Sequence, residues 1–357
     1  MSRTIWLLLL LPVPMPGELR GQEGGAAVAA RAARSEAAPV IASAAGTSAA
    51  TSAPATSSAA AIASAAEAEF ARPAKTWLDA QLALTRRGFS CGSIDGKNGP
   101  QTRAALRAFQ ANEGLRATGA LDEATAGALV LRGPDFLQRE VTAEDLARLQ
   151  PLDPAWLGKS RQSALAHTGI LEMFAEESHA HPALVRTLNP DIDWERVGEG
   201  EWVTLPDVAR ESPPPDARAA RALVFIAERM LQALDADGRV LAHFPVSIAR
   251  HVEKRPLGSL KVTVVIRNPD YTFAPENFPE SAEARELGQK LILPPGPNNP
   301  VGVAWIGLDR PGYGIHGTPE PEKVGRTESH GCFRLANSDA RLLLELAWVG
   351  MPVEVLE

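Results

Sequence analysis

The hydrophobic rhythm of this chain changes once, and that change limits what the chain can fold into. Up to about residue 209 apolar residues recur at helical spacing, whereas from Arg221 they alternate or run in short blocks rich in valine and isoleucine. One layer of structure cannot serve both periods, so the sequence reads as multidomain, with small helical units followed by a mainly-β unit. At 357 residues there is room for two or three compact domains.

Ahead of the first helical unit little can fold. Arg3 precedes an apolar run from Ile5 to about Met15, shorter than the roughly 20 residues a spanning helix needs. Residues 1–23 therefore read as a secretory signal peptide or an uncleaved anchor, the only expected membrane contact, and the rest is expected in the periplasm or cell wall. Residues 24–72 are mostly alanine, serine, threonine and glycine, whose small side chains bury too little area to offset the entropy of ordering. They read as a flexible linker. With 43 acidic residues against 36 basic ones the chain offers no general attraction to phosphate backbones, and nucleic acid is not an expected partner.

Residues 73–133 carry three short helical patterns. Leu78, Leu82 and Phe89 form one apolar stripe, Ala105, Leu106 and Phe109 a second after Pro100, and Leu121, Thr125 and Leu129 a third around Asp122. These predict a small all-α three-helix bundle. Residues 160–209 predict a small α+β segment, two short helices closed by a strand, with Pro190 after Leu184, Leu188 and Asn189 ending the second helix. His167, His179 and His181 lack metal-ligand spacing and read as surface or packing residues. Residues 210–219, with Pro213 to Pro215, read as a stiffened linker.

From residue 220 to 357 a β-rich sandwich or barrel is expected. "ALVFIAERMLQALDADGRVLAHFPVSIA" predicts two strands joined at Asp235 to Gly238, and "SLKVTVVIRNP" a third. "VGVAWIGL" and "MPVEVLE" supply further apolar runs around one helix at Asn337 to Trp348, with Asn337 and Asp339 as its caps. Cys91 and Cys332 fall in different units and read as free thiols, Cys91 as a small packed residue. Cys332 is different. A thiol attacks carbonyl carbon as thiolate, so it needs a base, partial exposure and donors aimed at the oxygen that becomes negative. Gly331 and Ser329 add little bulk beside it, and His316 sits between Gly314 and Gly317, as suits an exposed strand end.

Two segments resemble known families. "DGKNGPQTRAALRAFQANEGLRATGALDEAT" resembles the three-helix peptidoglycan-binding domain, and 160–209 loosely resembles a LysM glycan-binding module. "IHGT", "ESHGCFRLANSDA" and the upstream "LPPGPNNPVGVAWIGL" resemble the YkuD-type L,D-transpeptidase catalytic domain. The resemblance implies Cys332 as nucleophile, His316 as general base and acid, and the Gly317 carbonyl as orienter of its ring. It implies an oxyanion and substrate region at Ser329, His330 and Gly331, with Arg334 facing a substrate carboxylate or bracing the loop. "KRPLGSLKVT" departs from the family's usual strand entry but keeps a turn at Pro256 and Gly258. The implied partner is peptidoglycan: the enzyme cleaves before the terminal D-alanine of a tetrapeptide stem and passes the acyl group to another stem, a protein lysine or, as an L,D-carboxypeptidase, water.

No cofactor is expected, because thiolate and imidazole supply nucleophile and proton shuttle. A zinc site from His316, His330 and Cys332 lacks a fourth ligand. A non-catalytic wall-binding protein and a general cysteine protease are the alternatives from other classes.

Overall fold

The computed structural model describes residues 71–209, 217–277, 281–329 and 331–357. The expected signal or anchor at 1–23, nearly all of the linker at 24–72, most of the linker at 210–219, and His330 lie outside the described residues.

A short antiparallel pair, β1 (Arg72–Pro73) with β2 (Val130–Leu131), closes the first module around helices α1 (Trp77–Arg86), α2 (Pro100–Asn112) and α3 (Glu123–Ala128). Each helix has a local reason to start where it does. Thr76 and Asp79 form a reciprocal capping box on α1, Pro100 opens α2, and Asp122 accepts the Thr125 N–H ahead of α3. Two buried glutamines pin the turns between them. Gln81 Oε1 accepts from Asp95 N and Gly96 N, and Gln110 Oε1 accepts from Gly119 N. Gly96 and Gly119 have φ of 72° and 71°, which a side chain would strain. Leu82, Phe89, Leu106, Phe109 and Leu129 fill the core, each stabilising the fold by about 1.5–3 kcal/mol relative to exposure.

The middle module starts earlier than residue 160. Its closing strand β4 (Trp202–Pro206) pairs antiparallel with β3 (Phe136–Glu140), and α4 (Ala143–Ala147) and α5 (Trp156–Lys159) come next in the chain. The expected helix pair follows as α6 (Ile170–Glu177) and α7 (Pro182–Leu188). Asn189 ties the pair to the sheet, with Oδ1 accepting from Thr204 N at 2.7 Å and Nδ2 donating to Thr204 O at 2.8 Å.

The C-terminal unit is a strongly curled sheet of eight strands in the order β13, β12, β11, β8, β14, β5, β6, β7. In chain order these are β5 (Arg221–Phe225), β6 (Met230–Leu234), β7 (Val240–Pro245), β8 (Gly258–Arg267), β11 (Ala304–Leu308), β12 (Gly314–His316), β13 (Phe333–Arg334) and β14 (Pro352–Leu356). A separate hairpin, β9 (Tyr271–Phe273) with β10 (Leu291–Leu293), carries helix α8 (Ala282–Leu287) between its strands. Where two strands were expected before Ala249 there are three. The extra turn, Ile226 to Arg229, contains neither glycine nor proline and is made by Arg229 at φ 52°. The residues after β7 cross to the opposite edge strand: Ser247 exchanges backbone bonds with Arg334, and Ser329 N donates to Ile248 O. These bonds close the curl, and α9 (Asn337–Leu346) packs Ala340, Leu343 and Leu346 into its core.

The three modules are packed together. Gly88 O accepts from His243 N on β7, Ser90 N donates to His243 O, and Ile94 exchanges bonds with His179 O and His181 N of the middle module. Trp156 of α5 stacks on Phe273 of the hairpin at 4.5 Å between ring centroids.

Candidate active site

Strand register builds the site. In the parallel pair β12 and β13, Ile315 lies beside Phe333 and His316 beside Arg334. Ile315 and Phe333 point into the core. Alternation then puts His316 and Arg334 on the other face, and Cys332 stands in the bend that leads into β13. Strand spacing and rise set His316 and Cys332 diagonally, about 8 Å apart along the backbone, a gap two side chains can bridge. On the far side of β12 the register places Trp305 opposite His316, and their rings stack with centroids 5.6 Å apart. That stacking requires a glycine next door: a Cβ on Gly314 would lie 2.7 Å from the Trp305 ring. No alternation or spacing rule could have revealed Trp305, although the facing glycines Gly307 and Gly314 were a visible sign of a large neighbour.

His316 is buried, and its Nδ1 is 2.6 Å from Gly317 O. A carbonyl only accepts, so Nδ1 carries the proton and Nε2 keeps a lone pair. Burial pushes its pKa down to about 4, the Gly317 carbonyl opposes this, and Arg334 lowers it further. The ring is therefore a neutral base at neutral pH. Cys332 is half-buried, and its Sγ donates to Gly312 O at 3.4 Å. Burial pushes the thiol up to about 11, against the lowering influence of the Gly314 backbone and Arg334. Burial also lowers the Arg334 pKa, while Cys332, Glu320 and Tyr271 oppose that, so all three groups lie in its field.

The other expected site residues divide. Ser329 is buried, with its hydroxyl donating to Cys332 O at 2.6 Å and accepting from Gly331 N at 3.3 Å. It braces the turn into Cys332, and Gly331 N–H is already engaged. Arg334 holds the same loop from outside through Nη1 to Glu328 O at 3.4 Å. Asn337 and Asp339 do not cap α9, whose N-cap is Ala336 with no side-chain cap bond. Asn337 is fully buried and its Oδ1 accepts from Val303 N and Thr318 N, while Asp339 accepts from Ser90 Oγ of the first module at 2.9 Å. Both side chains point away from the helix end because the neighbouring loops and module supply closer donors. Among the described residues no group of three or more His, Cys, Asp or Glu side chains could hold a metal. His167 is buried with Nε2 3.6 Å from Glu176 Oε1, and His181 Nδ1 caps α7 by accepting from Ala183 N.

Residues 219–355 match the family model of the L,D-transpeptidase catalytic domain (YkuD), and residues 74–129 match the one described as "Putative peptidoglycan binding domain". Among curated proteins the chain is 29% identical over 194 residues to "Probable L,D-transpeptidase ErfK/SrfK" of Escherichia coli, 54% of this chain and 60% of the relative. It is 25% identical over 177 residues to "Putative L,D-transpeptidase YkuD" of Bacillus licheniformis, 50% of this chain and 86% of the relative. It thus spans 60% of the length of the Escherichia coli relative. An L,D-transpeptidase structure from Mycobacterium smegmatis aligns at 19% identity and TM-score 0.31, covering 45% of this chain and 65% of that one.

Proposed function

We propose that this chain, with an L,D-transpeptidase catalytic domain at 219–355 and a peptidoglycan-binding domain at 74–129, is a peptidoglycan L,D-transpeptidase with Cys332 as nucleophile. The observation that carries the reading is the His316 Nδ1 bond to Gly317 O, which leaves Nε2 as a base on β12, the strand paired with β13, which Cys332 immediately precedes. As Cys332 Sγ attacks the carbonyl before the terminal D-alanine, its proton passes to His316 Nε2 and the C=O electron pair moves onto oxygen. The Cys332 backbone N–H is the donor assigned to that oxygen, with Gly331 N–H directed to Ser329 Oγ. Collapse of the intermediate breaks the C–N bond, and His316 returns the proton to the departing amine. An acceptor amine then attacks the thioester, again losing its proton to His316, and releases the thiol.

Arg334, part-buried with Cys332 in its field, suits a stem carboxylate. The first module docks against β7 and so presents wall and catalytic face from one body. The middle module's antiparallel pair β3 and β4, with the helix pair α6 and α7 pinned to β4 by Asn189, supports a LysM-like glycan contact. Extracytoplasmic action follows from the wall substrate and the N-terminal segment; among the described residues no helix is long and apolar enough to cross a membrane.

The test is purified protein with disaccharide tetrapeptide. Release of D-alanine with a cross-linked product supports transpeptidation, release with tripeptide alone identifies a carboxypeptidase, and no release leaves a wall-binding protein.

A further inference from the structure

Asn337 is filled to capacity. Its Oδ1 accepts from Val303 N at 3.2 Å and Thr318 N at 3.1 Å, and its Nδ2 donates to Pro297 O at 3.1 Å and to Glu176 Oε2 at 3.0 Å. An amide has two acceptor sites and two N–H donors, so nothing is left over. The backbone closes tightly on the oxygen: a Cβ on Gly302 or Gly317 would lie 2.0 or 2.2 Å from Oδ1. The position of the Gly317 peptide, whose carbonyl sets the His316 tautomer, is therefore set by Asn337. Which way the amide faces is set in turn by its partners. Only oxygen can serve the two backbone N–H groups, and only the NH₂ can serve a carboxylate.

That carboxylate comes from a different module. Glu176 lies on α6, its side chain only 11% exposed, with His167 Nε2 3.6 Å from its other oxygen. One turn earlier on the same face Glu172 accepts from Asn298 Nδ2, so α6 holds the 297–303 loop directly through Glu172, whereas Glu176 reaches Asn337 of α9. We infer that Glu176 is a positioning residue for the transpeptidation: through Asn337 it holds the Gly317 carbonyl against His316 and keeps the imidazole in its Nδ1–H form. The middle module is then part of the catalytic apparatus, beyond any role in wall binding. This inference rests on the function proposed above, but its test separates the two.

The experiment uses the full chain with Glu176→Gln, Glu176→Ala and, as control, Glu172→Ala. Two readouts are taken: the maximal rate of Cys332 acylation by a carbapenem, apart from the half-saturating concentration, and the ¹⁵N shifts of the His316 ring. Glu176→Ala is expected to lower the maximal rate by about 10- to 100-fold, as displacing a catalytic base by a fraction of an ångström does, and to move the ¹⁵N pattern toward mixed tautomers. Glu176→Gln, whose Oε1 still accepts from Asn337, should keep both within about threefold. Glu172→Ala should leave the ¹⁵N pattern unchanged. An unaltered His316 pattern in Glu176→Ala would overturn the inference, as would equal damage by Gln and Ala. If the wild-type chain forms no adduct, the function fails while the ¹⁵N comparison still decides the positioning role.

Discussion

The resting state of the site can be tested by pH. With the Cys332 thiol at about 11 and the His316 imidazole at about 4, both groups are neutral across the physiological range. Sulfur is then expected to lose its proton only as it attacks, with no standing thiolate–imidazolium pair. At pH 7 a thiol at about 11 is about one part in 10⁴ thiolate, roughly 300-fold less than an unperturbed cysteine near 8.5. Alkylation by iodoacetamide reads this directly, because Cys91, 2% exposed and pushed up further by burial, stays silent. The rate at Cys332 should climb about tenfold per pH unit from 7 to 10 without levelling. His316→Ala should leave alkylation within about threefold, yet slow carbapenem acylation by about 10²–10⁴, since only the second reaction uses the base. A plateau below pH 8 that His316→Ala abolishes would refute the neutral pair.

Further outcomes follow from the same geometry. Gly317→Ala puts a Cβ 2.2 Å from Asn337 Oδ1 in a closed site, so the Gly317 carbonyl must leave His316 Nδ1; acylation should fall about 100-fold with the thermal midpoint also lowered. Burial in the module interface drops His243 to about 3, so below its unfolded value near 6.5 the unfolded chain takes up the proton first. Its stabilisation is fully present above pH 6.5 and is lost as pH falls toward 3, amounting to about 3 kcal/mol by pH 4.5. His243→Leu should flatten the fall in urea midpoint between pH 6.5 and 4.5; an unchanged slope would count against the buried neutral ring. Asn337→Leu strands the Val303 and Thr318 N–H groups and should cost about 1–3 kcal/mol for each, read by urea titration.

Much of this was legible in sequence because local chemistry decided it. Pro100 at the head of α2, Asp122 ahead of α3 and the apolar stripes at helical spacing marked the helices of the first module locally, whereas the pins at Gln81 and Gln110 emerge only from the fold. His316 and Cys332 stood out through the joint pattern of His316, Ser329, His330, Gly331 and Arg334, and Gly317 through the family resemblance that pattern carries. What stayed hidden depends on long-range pairing. The turn at Ile226 to Arg229 has no breaker residue, and only antiparallel pairing of β5 with β6 forces Arg229 to positive φ. The strand β3 pairs with β4 across more than sixty residues, so its place in the middle module could not be read locally. Asn337 and Asp339 have the look of helix caps, but their partners, Glu176 and Ser90, come from other modules.

The most direct measurement is the mass of the intact chain and of its Cys332 peptide after exposure to tetrapeptide stem. A gain equal to the stem minus D-alanine, located on Cys332 and absent in Cys332→Ser, is the predicted result. Turnover of the stem by the Cys332→Ser chain, or an adduct at another residue, would contradict it.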